Sequence, residues 1–201
     1  MVQIAEIRSH LAKTETFRGY RSLMVGLTGV LAFAAAAVQT VWIPNPAEQP
    51  IAWLLLWLGV ATLSVSAVAA EMAIRCWKSK SAWTLRLTRL AVGQFIPCLL
   101  AGAAVTTVLV LSARDSLWML PGLWSIVFSL GVFASAPLLP RAIGLAAGYY
   151  LVSGVVCLLT GRADAAFSPW TMAGTFGVGQ LLAALVLFRQ LERSDETPRP
   201  F

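Results

Sequence analysis

Few residues in this chain can do chemistry, and most of those lie outside its apolar stretches. The only histidine is His10, in the N-terminal segment. A haem held between two imidazoles, a histidine-rich zinc site and a histidine-activated serine all need imidazole at the reacting centre. None of these can be built in the apolar part of the sequence. Ser153 followed by Gly154 matches a fragment of an intramembrane serine protease motif, but with no histidine to activate the hydroxyl the pair reads as a small-residue packing site. Cys76, Cys98 and Cys157 lack CxxC spacing and fall at different expected depths, which argues against a disulfide and leaves them as small apolar residues.

Glu71 and Arg75 stand four residues apart, an acid before a cation, the spacing of a helix-surface ion pair. A carboxylate at the edge of an apolar run could also carry protons in an antiporter, but the structural pair is the favoured reading. A membrane endopeptidase of the prenyl-protein-processing kind would want two adjacent glutamates and further histidines, and the chain has neither. Gln39, Gln94 and Gln180 are the candidate polar site within the apolar runs. Hydrocarbon does not solvate an amide, so each should turn inward and bond across helices. Gln94 and Gln180 both close a Val-Gly-Gln tripeptide. Two such copies in opposite directions would fit an inverted repeat, although chance recurrence in so Ala- and Gly-rich a chain is the simpler account.

Gly144 and Gly148 form a GxxxG pair, and Gly174, Gly177 and Gly179 give the last apolar run a second small face. These five are the candidate helix-packing face, within the bundle or at a homodimer seam. The 174–179 stretch lacks the Lys and Ser or Thr that follow the glycines of a phosphate-binding loop. No metal, nucleotide or phosphate motif occurs at usable spacing, so no cofactor is expected.

The elements that must position these residues follow from charge. Only 12% of the 201 residues are charged and 58% are hydrophobic, against roughly 25% charged in an ordinary soluble domain. Six charge-free runs cover 22–47, 49–70, 90–113, 116–140, 142–161 and 165–188, each 20 to 26 residues long. A hydrocarbon layer about 30 Å thick needs about 20 apolar residues per helix. The expected fold class is therefore all-α: a polytopic membrane protein, a compact bundle of six transmembrane helices with an N-terminal amphipathic interfacial helix. The expected spans are about 23–43, 51–71, 90–111, 117–136, 142–160 and 169–188, forming a domain over 22–189. The first run is read as a retained span rather than a cleaved signal peptide, because it is span-length and Glu6 and Glu15 lie in the segment before it.

Of the fifteen Lys and Arg residues, thirteen fall on one face of this topology and only Arg114 and Arg162 on the other. Cytoplasmic loops collect cations, so both termini are expected in the cytoplasm, and the net charge of +6 needs no nucleic acid to explain it. Trp42, Trp53, Trp118 and Trp170 fall at the expected outer ends of spans, with Trp57 and Trp124 a turn deeper, and read as headgroup-level anchors. Pro44, Pro46 and Pro50 break the first outer turn. Short connections should make neighbouring helices antiparallel, the exception being a long basic loop over 71–89 with Trp77 and Trp83.

Residues 1–21 place Ile4, Ile7, Leu11, Thr14 and Phe17 at helical spacing, as a helix lying on the cytoplasmic leaflet or docking on a partner would. Residues 190–201 read as a disordered cytoplasmic tail.

The expected partners are the lipid bilayer and either a cytoplasmic protein or a second copy of the chain, in a bacterial inner membrane. The expected function is non-enzymatic: an accessory, sensory or assembly subunit. The alternative is a small transporter or channel with a polar pathway around Gln39, Gln94 and Gln180, in which Pro97 could break the third span beside Gln94.

Overall fold

The computed structural model describes residues 20–79, 82–139, 142–161 and 165–191. The expected amphipathic helix lies outside these residues except for positions 20–21, as does the expected tail except for 190–191. Among the described residues the chain is all-helical, with six helices long and apolar enough to cross a bilayer. They are α1 (Tyr20–Trp42), α2 (Pro50–Ser79), α3 (Ala82–Ser112), α4 (Leu120–Ser135), α5 (Ile143–Thr160) and α6. The last begins as Pro169–Met172, passes through a π-helical turn at Ala173–Gly177 and continues as Val178–Leu191. A 3-10 helix, Arg114–Met119, leads directly into α4.

Proline sets several boundaries. Pro50 and Pro169 open α2 and α6, and Pro121 lies in the first turn of α4. At these positions the N–H that proline lacks would have no intrahelical partner anyway. Pro97, by contrast, lies inside α3 without ending it.

The expected loop over 71–89 is instead mostly helix. α2 continues to Ser79 and α3 resumes at Ala82, giving helices of 30 and 31 residues. The segment has no proline or glycine, so nothing in it stops a helix. Charge there ends the apolar run but not the hydrogen-bond ladder. At 1.5 Å per residue each helix is about 45 Å long, so each outruns a hydrocarbon layer of about 30 Å. Below, the bundle's two ends are called the Asn45 end and the Ser79 end.

The helices do not share the interior equally. α4 packs chiefly on α5 and also on α3, while α1 packs on α6 and α2. The apolar window through α4 is 44% buried, against 17% for α2 and 11% for α3. Close backbone approach explains the first pairing. A Cβ built on Gly122 of α4 would lie 2.8 Å from the Gly154 carbonyl oxygen, and one on Gly154 would lie 2.8 Å from that of Gly122. The α1–α6 contact is similar, since a Cβ on Gly29 would meet the Gly177 carbonyl at 3.0 Å. Small residues at both seams let the helix backbones approach closely enough for dense van der Waals contact.

Two apolar clusters fill the bundle. At the Asn45 end, Ala32, Ala35 and Ala36 of α1 leave space for Trp53 and Trp57 of α2, joined by Leu117, Leu120, Phe167 and Met172. The Trp53 ring stacks on Trp124 at 5.9 Å and 9° and meets Phe167 edge-on at 5.2 Å. Trp53 and Trp57 are therefore core residues and not headgroup anchors, whereas Trp42 and Trp170 are exposed. The cause is angular: Trp53 and Trp57 sit one turn apart on the stripe of α2 that faces the alanines of α1. At the Ser79 end a smaller cluster gathers Val132, Ile143, Ala146, Ala147 and Leu187.

Candidate functional site

The three glutamines occupy three different settings. Gln39 of α1 is fully buried. Its Nε2 donates to the Phe167 carbonyl at 2.8 Å, and its Oε1 accepts from the Trp57 indole N–H at 2.7 Å. One amide thus ties α1 to α2 and to the segment that enters α6. Gln94 lies on α3, where its Oε1 is buried with no hydrogen-bond partner. Gln180 of α6 packs against α1, with its Cβ 3.2 Å from the position a Gly29 Cβ would take. Gly29 and Gln39 are ten residues apart on one helix, about 15 Å along its axis, so Gln180 and Gln39 sit at different depths. None of the three lines either of the two clefts described below. The Val-Gly-Gln copies also differ in surroundings: space beside Gly93 is open, while a side chain on Gly179 would collide with the Tyr150 ring.

Glu71 and Arg75 both fall on α2, near its Ser79 end, with Glu71 partly buried. The Arg75 side chain is outside what the structure describes. The five glycines of the candidate packing face divide. Gly177 presses on the Phe33 ring of α1 and Gly179 on Tyr150 of α5, but a Cβ on Gly144, Gly148 or Gly174 would meet nothing within 4 Å. The GxxxG pair of α5 therefore opens outward from the chain, and the close α4–α5 contact is made by Gly122 and Gly154 instead. Ser153, beside Gly154, joins a hydroxyl cluster.

That cluster is the main polar feature that sequence reading missed. Ser125 of α4 donates to the Tyr150 carbonyl at 2.6 Å, with the Ser153 hydroxyl 3.2 Å away. Ser153 opens onto a cleft of about 340 Å³ between α5 and α6, lined also by Cys157, Thr160, Thr171 and Thr175. Thr171 donates to the Ala165 carbonyl at 2.8 Å and Thr175 to that of Thr171 at 2.7 Å. Each threonine proton is thereby engaged by backbone, which leaves hydroxyl lone pairs as what the walls offer a ligand. The π-turn at Ala173–Gly177 forms one wall, and the Tyr149 hydroxyl donates to its Gly174 carbonyl at 2.6 Å. Cys157 lies 3.5 Å from the Thr175 hydroxyl and has no general base beside it. Among the described residues no group of His, Cys, Asp or Glu could hold a metal ion. The only sequence hint of this cluster was hydroxyl residues recurring at helical spacing, as at Thr171 and Thr175.

No known protein family, curated protein or solved structure matches this chain.

Proposed function

We propose that this chain is a non-enzymatic, multi-pass protein of a bacterial inner membrane, an accessory, sensory or assembly subunit that meets a cytoplasmic partner or the lipid surface through the basic segment where α2 ends and α3 begins. One observation carries the reading. Both helices continue past their apolar windows, one through Arg75 and Lys78 to Ser79 and the other from Ala82 through Arg86 and Arg89, and Trp77 is 83% exposed. A helical extension fixes the backbone spacing of the basic residues it carries, as a recognition surface needs, where a loose loop would first have to be ordered on binding. The distribution of Lys and Arg supports a cytoplasmic location for this segment and for both termini.

The bonding of Gln39 also favours this reading over transport, because its amide is engaged on both sides by protein. The transport alternative draws support from one feature, the unpartnered Gln94 oxygen. A photo-crosslinking residue in place of Trp77, activated in intact cells before extraction in mild detergent, tests the proposal. A discrete protein or anionic-lipid adduct, lost when Lys78, Lys80 and Arg86 are changed to Glu, is the expected result. No adduct, together with solute uptake by proteoliposomes of the purified chain, would overturn it.

A further inference from the structure

A second cleft, of about 580 Å³, runs between α5 and α6 on the side away from α4. Its volume lies within the ordinary range of ligand sites. The walls are apolar, with Leu145 and Val152 of α5 facing Leu182 and Leu185 of α6. Gly148 leaves the floor without a side chain, and a Cβ there would meet nothing within 4 Å. Tyr149 contributes only its ring, because its hydroxyl is turned to the Gly174 carbonyl. The single charge is Arg189, in the last turn of α6. From Leu182 to Arg189 the groove spans about 10 Å of helix. α5 starts, and α6 ends, at the Ser79 end, so the guanidinium marks the groove's mouth on the face where the chain's cations gather.

We propose that this groove holds one acyl chain of an anionic phospholipid, with the lipid phosphate against Arg189. The chemistry is complementary at both ends: an open apolar groove for the chain, and a guanidinium at its mouth that matches phosphate. The open Gly148 position gains a function on this view, since its missing side chain makes room for lipid. The proposal rests on the membrane reading above.

The test is native mass spectrometry of the detergent-purified protein after incubation with phosphatidylglycerol or phosphatidylcholine of identical acyl chains. The wild type should retain phosphatidylglycerol preferentially. Arg189→Gln should cut that preference about fivefold, the worth of one cation near a membrane surface. Gly148→Leu, whose new side chain enters open space, should expel both lipids while leaving the thermal unfolding temperature unchanged or raised. Equal retention of the two lipids by the wild type, or an unaltered preference in Arg189→Gln, overturns the groove assignment but not the membrane reading. So does a disulfide between two copies of a Leu145→Cys variant, which would make this face a dimer seam. A chain that fractionates away from the membrane overturns both.

Discussion

The indole N–H of Trp57 on α2 is bound at 2.7 Å by the side-chain oxygen of Gln39 on α1, and both residues are almost wholly buried. Gln39→Leu leaves that N–H and the Phe167 carbonyl unsatisfied, which costs about 1–3 kcal/mol for a buried group. Gln94→Leu removes an amide oxygen that has no partner to lose. Thermal unfolding in detergent should therefore separate them, with the Gln39 variant melting lower and the Gln94 variant unchanged or higher. Equal losses would show that burial of an amide, and not its bonding, governs stability in this bundle.

The glycines should sort by contact and not by motif. Gly154→Leu forces α5 away from the Gly122 carbonyl and should prevent a stable bundle, or lower its unfolding temperature sharply. Gly144→Ala, facing open space in the first turn of α5, should stabilise it by less than the about 0.5–1 kcal/mol that alanine gains over glycine in mid-helix. A Gly144→Ala variant that melted well below the wild type would place a second chain against that face.

The tryptophans make a parallel pair. Trp53→Ala empties a site stacked on Trp124 and should cost about 3–5 kcal/mol. Trp42→Ala removes an exposed ring and should leave the unfolding temperature within a degree or two. Denaturation of the two variants side by side measures the difference.

Orientation can be read by labelling. In a background lacking the native cysteines, Asn45→Cys should react with an impermeant maleimide applied outside the cell, and Ser79→Cys should react only after the membrane is opened. Reaction of the Ser79 variant from outside would reverse the proposed orientation.

Much of the architecture was legible in the sequence, because a missing charge over twenty residues is a one-dimensional signal. Each of the six long helices is built around one charge-free run, although α2, α3 and α6 continue beyond theirs. What the linear pattern lacked was angle. Trp53 and Trp57 lie at a depth where indoles often anchor in headgroups, and only the azimuth of α2 against Ala32, Ala35 and Ala36 turns them inward. Gly144 and Gly148 carry the better-known spacing, yet the neighbour of α5 stands on the Gly154 side. The boundary at Glu71 was misplaced for another reason: charge changes where a helix can sit, not whether it forms. The hydroxyl cluster around Ser125, Ser153 and Thr175 was invisible because it assembles from three helices, and Ser and Thr at helical spacing have no distinctive pattern until those helices meet.

The pairing of α1 with α6 sets an order of events during synthesis. Gly29 and the Gly177 carbonyl it approaches are separated by about 150 residues, which a ribosome adding about 5–20 residues per second needs on the order of ten seconds to cover. For that interval the Gly29 face of the first helix waits for a partner still to be translated. Truncations that stop before α6 should consequently be recognised by quality-control proteases as unfinished, even though five of the six spans are already in place.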